Sequence, residues 1–250
     1  MPPASKPKPK AKSNSAKNAE PPQKTPIKDI RFIFACHTDE SSHVNTFLNA
    51  AATLEAEYKK KFPNHRVEKH HIKSAVELNK ILSSQPDLTV RSVDIIGHGR
   101  YDRIGIMDDD YERTSIMMDD VFYFFKFWFS DMLEVEDLDF RFFAINAKIE
   151  VHGCRTADKE HQDNNIIRNL SMMLYEAGKT KSYVIGHGNK AQPKPGKKAQ
   201  DYRHDARFIY HNGQLVIFQP KKGEKYTIQE GHLDESAIEK AIEDQFGTKK

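Results

Sequence analysis

The chain has 250 residues, 38% of them hydrophobic and 30% charged, with a formal net charge of +3. This is the composition of a soluble globular protein. Six lysines and one acidic residue fall within the first 26 positions, so the remainder is near neutral and gives no reason to expect a nucleic-acid partner.

Residues 1–26, "MPPASKPKPKAKSNSAKNAEPPQKTP", hold seven of the twelve prolines and no large apolar residue after Met1. Such a segment cannot bury a core, and the expectation is a disordered tail. It lacks the apolar region of a secretory signal peptide. The longest apolar run, "VFYFFKFWF" at 121–129, is too short to cross a bilayer and contains Lys126.

From about residue 27 to 250 the pattern reads as one α/β domain. "KDIRFIFACH" (28–37) is an apolar strand ending at Cys36 and His37. "HVNTFLNAAATLEAEYKKKF" has helical spacing. "HRVEKHHI" is a short strand, whose alternation sends the rings of His70 and His71 to opposite faces. "SAVELNKILSS" is a helix, with Ser74 as N-cap and Glu77 three residues on. "RSVDIIGHG" is a third strand, and "IGIMDDDYE" belongs to a hairpin. Residues 115–143 read as largely helical and very aromatic. "AKIEVHGC" is a strand, "NNIIRNLSMMLYEAG" a helix stopped by Gly178, and "KSYVIGHG" another strand. A basic loop follows (189–205). "ARFIYHNGQLVIFQP" is a hairpin turning at Asn212-Gly213, and "DESAIEKAIEDQF" is a closing helix. Strands alternating with helices predict a mostly parallel central sheet covered on both faces.

In such a sheet functional groups collect beyond the carboxyl ends of the strands. Here those ends carry Cys36-His37, His98, His152 with Cys154, and His187. Two chemistries fit. In the first, His98 activates the Cys154 thiol as nucleophile. Gly97, Gly99 and Gly153 then permit sharp turns and close substrate approach, and the Gly99 and Cys154 amides donate to an oxyanion. In the second, His98, His152, Cys154 and His187 form a zinc shell.

A hydrophobic strand ending in His-Gly, then about fifty residues, then a hydrophobic strand ending in Gly-Cys, resembles the caspase-like cysteine peptidases. "IIGHGRYDRIGI" and "IEVHGCRTAD" are most similar to bacterial caspase-like domains. The specific part covers 93–189. The resemblance implies a caspase-like three-layer sandwich, a Cys154–His98 dyad and cleavage of protein or peptide substrates, self-cleavage included. No cofactor is needed, although calcium or a small ligand activates some relatives. The pair His152-Gly153 departs from branches that carry an acidic or polar residue there to set specificity.

Asp94, His152, Asp158 and His187 are candidate substrate-pocket groups, with Asp201 and Asp205 in the later loop. The aromatic 121–129 segment reads as a buried helix or as a patch for a partner or a second copy. Two readings stand beside the peptidase: a catalytically silent caspase-like module binding a partner through that segment, and a zinc protein. Two cysteines are too few for a disulfide framework, so a reducing, cytoplasmic compartment is the expectation. The lysine- and proline-rich leader also suits a bacterial effector exported without a signal peptide.

Overall fold

The structure is a computed structural model and describes residues 29–38, 41–106, 115–118, 132–191, 203, 207–217 and 234–247. Its centre is a seven-stranded sheet. The strands are β1 (Ile30–Cys36), β2 (Arg66–Ile72), β3 (Val90–Ile96), β8 (Phe143–His152), β9 (Tyr183–His187), β10 (Arg207–His211) and β11 (Gln214–Leu215). Their spatial order is β11-β10-β9-β8-β3-β1-β2. The five strands from β2 to β9 run parallel, and β10 and β11 antiparallel to their neighbours.

Among the described residues, four helices cover the two faces. On α1 (Ser41–Lys61), the residues Phe47, Ala50, Ala51, Leu54 and Tyr58 recur at helical spacing and pack on Ile33, Ala35 and Ile96. α4 (Glu235–Phe246) lies on the same face, with Ile238 and Ile242 against Tyr183, Ile185 and Ile209. α2 (Ala75–Ser83) and α3 (Ile166–Glu176) cover the other face, packed against Phe32, Phe34, Val93, Ile149 and Val184. The architecture is thus an α/β sandwich with a mostly parallel sheet. None of the helices among the described residues is long and apolar enough to cross a membrane.

Local chemistry explains most element ends. The Ser74 hydroxyl accepts from Glu77 N–H at 3.1 Å, while the Glu77 carboxylate accepts from Lys73 N–H at 2.9 Å, a capping box displaced by one residue. α3 begins at Asn165, whose side chain accepts from Arg168 N–H, and closes at Gly178, which adopts φ +80°. Asn212 (φ +46°) and Gly213 (φ +70°) form the predicted two-residue turn between β10 and β11.

The expectation of helix over 115–143 needs correction. The described part holds β6 (Ile116–Met117), β7 (Leu133–Glu134) and two 3-10 turns, Val135–Asp137 and Phe140–Phe142. β6 and β7 extend a second, four-stranded sheet begun by the hairpin of β4 (His98–Arg100) and β5 (Arg103–Gly105). Pairing with that hairpin wins over helical propensity. Phe140, Phe142 and Phe143 are buried from turns and a strand start rather than from a helix. The 121–129 segment, Asp201 and Asp205 lie outside the described residues, as does most of the 189–205 loop.

Polar side chains also enter the interior. Arg31 is buried on β1, stacked 3.5 Å from the Phe62 ring centroid, and donates to both carboxylate oxygens of Glu235 at 2.8 and 3.0 Å. Arg91 pairs with Glu239 one turn further along α4. These pairs fix α4 across the sheet.

Leu88, just before β3, sits at φ +62° with 52% of its surface exposed. That conformation costs an L-residue roughly 1–2 kcal/mol; glycine removes this strain, but its larger unfolded-state entropy offsets part of the relief. Leu88→Gly is therefore expected to raise stability by about 0.5–1 kcal/mol, seen as a higher urea midpoint at unchanged slope.

Candidate functional site

The connection from β1 leads to β2 on one side, whereas β3, β8 and β9 lie on the other. The crevice beyond the carboxyl ends of β1 and β3 is therefore a topological switch point, the usual place for a site in a parallel sheet. α1 follows β1, so its amino end lies at this edge and brings the positive end of its dipole there.

The two glycine-flanked motifs meet here, backbone to backbone. A Cβ on Gly99 would stand 2.9 Å from both Cys154 O and Gly153 C, and 2.6 Å from Thr156 Cγ2. A Cβ on Gly153 would stand 3.1 Å from Gly99 Cα. Only glycine permits so close an approach of the chain leaving β3 to the chain leaving β8.

Cys154 lies in the turn that leaves β8, half-buried, against the cluster that contains Ile33, Ala35 and Phe47. Its thiol lies 3.5 Å from the Ala191 carbonyl oxygen, which accepts from it. Four hydrogen bonds hold the turn. Arg155 N–H donates to Asn189 O and Ala157 N–H to His187 O, both at 2.9 Å. The Thr156 hydroxyl donates to Gly153 O and accepts from His187 N–H, both at 3.2 Å. Arg155 takes the left-handed conformation, φ +54°, a backbone tension next to the thiol. His98, half-buried at the start of β4, packs edge-on to Phe47 with ring centroids 5.3 Å apart. Cys154 and His98 thus border the same apolar cluster.

The chain matches no protein-family model, and neither the curated proteins nor the solved structures give a significant match.

The other cysteine is chemically different. Cys36 is fully buried, and burial pushes its thiol far above the ordinary range, so it stays protonated and inert.

Asp94 and His152 are joined, but inside the core. Asp94 accepts from the Tyr58 hydroxyl at 2.8 Å and lies 3.1 Å from His152 Nε2. Lys148 Nζ donates to Tyr58 at 2.6 Å, Glu150 at 3.0 Å and Asp94 at 3.2 Å. Arg207 pairs with Glu150 from β10. Burial alone would raise both carboxyls. Lys148 outweighs it at Asp94 together with the His152 hydrogen bond, and at Glu150 together with Arg207, so both are held below the usual carboxylate range.

His187 is buried with its ring 6.2 Å from that of His152. Asp158 accepts from Glu160 N–H at 2.9 Å and caps the short turn after Cys154.

The zinc shell expected from His98, His152, Cys154 and His187 is not assembled. Among the described residues the one trio of metal-type donors in mutual reach is Asp94, Glu150 and His152, and there Lys148 and Arg207 already balance the two carboxylates. The strand end is the reason: His152 is the last residue of β8 and turns inward to Asp94, whereas Cys154 lies in the turn beyond.

The structure adds His43 to the site. It lies in the first turn of α1 with its ring 5.4 Å from that of His98. A histidine at a helix start carries no sequence signal of its own; only the packing of α1 onto the His98 turn reveals it.

Proposed function

We propose that the protein is a caspase-like cysteine peptidase in which Cys154 is the nucleophile and His98 the general base and acid. The observation that carries this reading is the contact between the 98–99 and 153–154 backbones at the switch point. A half-buried thiol and an imidazole there border the same apolar cluster, while Cys36 is shut away.

In this reading His98 takes the Cys154 proton, and the thiolate attacks the scissile carbonyl carbon. The developing oxyanion is met by the Gly99 and Cys154 amides. The C–N bond breaks as His98 returns the proton to the leaving amine, and water then hydrolyses the thioester with His98 as base.

The test is cleavage of a diverse peptide library, and of the chain itself by intact mass, under reducing conditions with and without calcium. Wild type is expected to cut, Cys154→Ala to be inert, and His98→Gln to lose about 10²–10⁴-fold. A wild type that cuts nothing, or a Cys154→Ala variant that still cuts, overturns the proposal.

A further inference from the structure

A second cluster of imidazoles stands on the same sheet edge, outside the dyad. β1 and β2 pair in parallel, with Ala35 opposite His71 and Cys36 opposite Ile72. The ladder continues past the strand, since His37 N–H donates to Ile72 O at 2.8 Å. Alternation puts Ala35, His37 and His71 on one face. His70 takes the other, with its ring 5.7 Å from those of Phe32 and Phe34. The expected divergence of His70 and His71 is therefore present, and it frees His71 to meet a residue of another strand. His37 Nδ1 and His71 Nε2 lie 3.3 Å apart.

That separation is informative. Two imidazole nitrogens bound to one tetrahedral zinc at roughly 2.0–2.1 Å must be about 3.3–3.4 Å from each other. The pair already has the edge length of such a coordination sphere, held by a backbone ladder rather than by a loop. We propose that His37 and His71 form a two-histidine site for a borderline transition-metal dication, zinc foremost, with water in the remaining positions. In the metal-free pair the two nitrogens share one hydrogen. Metal binding moves it to the other nitrogen of its own ring, so both facing lone pairs turn to the cation.

Two features support the assignment. His71 is exposed, so a hydrated cation can reach it. The β1–β2 ladder holds the pair in place from the backbone, through Ala35 opposite His71 and His37 N–H on Ile72 O. Imidazole ligands select zinc, nickel and copper and give calcium or magnesium no advantage. The site does not depend on the peptidase reading.

The experiment is calorimetric titration of the full chain with zinc in a non-chelating buffer. It compares wild type with His37→Ala, His71→Ala, His71→Gln, His70→Ala and Cys154→Ala, each checked for folding by thermal melting. Loss of an outer-sphere partner alone costs 10–100-fold in affinity, so loss of either ligand should weaken one zinc equivalent by more than about tenfold. His70→Ala and Cys154→Ala should titrate as wild type, nickel should compete for the same equivalent, and calcium should not. Zinc binding unchanged in both His71 variants overturns the proposal. So does zinc binding lost in Cys154→Ala, which would place the metal on the thiol, or a wild type that takes up no zinc.

Discussion

Lys148→Met is expected to destabilise the protein by about 3–5 kcal/mol, the usual result of removing one partner from a buried ion pair. Methionine keeps the apolar stem in place, so the loss reports the charge rather than a cavity. Lys148 is 3% exposed and Asp94 not at all. Without the ammonium, Asp94 keeps only the Tyr58 hydroxyl and His152, while Glu150 keeps Arg207.

The pH dependence should change sign. In the wild type Asp94 and Glu150 have depressed folded pKa values. Their contribution is complete above the unfolded carboxylate range, near pH 4, and is lost as pH falls through the lower folded values. Lys148 is raised: burial opposes the charge, but Asp94, Tyr58 and Glu150 outweigh it. Its contribution is complete below about pH 10 and is lost only at higher pH. In Lys148→Met, burial, already the largest single influence on Asp94, is no longer outweighed, and the folded pKa rises. A group so raised stabilises below its unfolded pKa and loses that contribution as pH rises. Urea unfolding between pH 4 and 7 should show stability holding or rising with pH in the wild type and falling in the variant. Adding Asp94→Asn to Lys148→Met should recover more than half of the loss, since neither charge is then left alone. A Lys148→Met loss below about 1 kcal/mol would mean that water reaches the cluster.

Much of this was legible in the sequence, and the residues show where legibility stopped. The strands announced themselves because a parallel sheet buries both faces and reads as apolar runs. The turn at Asn212-Gly213 and the cap at Ser74 follow from local chemistry alone. Lys148, Glu150 and His152 also carried a signal, a polar residue at every second place in "AKIEVH". Ordinarily that pattern means a solvated face. Here the face lies under α1, and the charges are tolerated because Arg207 and Lys148 balance Asp94 and Glu150. That balance is a property of three strands and a helix meeting in space, which no window of sequence contains. His43 and the His37–His71 pair were hidden for the same reason. The short strands at Ile116–Met117 and Leu133–Glu134 differ from the helix expected there because two-residue strands carry too little periodicity to be read from sequence.

The site itself is most sharply tested by Gly99→Ala. A Cβ there meets two backbone atoms, Cys154 O and Gly153 C, at 2.9 Å, besides the Thr156 methyl at 2.6 Å. Backbone cannot rotate away as the end of a long side chain can, so the nucleophile turn must move. Its own anchors to Asn189 and His187 restrict where it can go. The expected stability loss is that of modest overpacking, about 1–3 kcal/mol, and the variant should fold. Its cleavage rate should fall far more, on the order of 10²-fold, as reacting groups displaced by about 1 Å do. Thr156→Ser in the same chain removes the methyl but keeps the hydroxyl that ties Gly153 to His187. If the methyl clash were the whole effect, the double variant would regain full activity. If backbone contact sets the dyad, as proposed, it regains stability but little of the rate. A Gly99→Ala protein that cuts at the wild-type rate would separate the two motifs functionally, and the dyad assignment would fall with their contact.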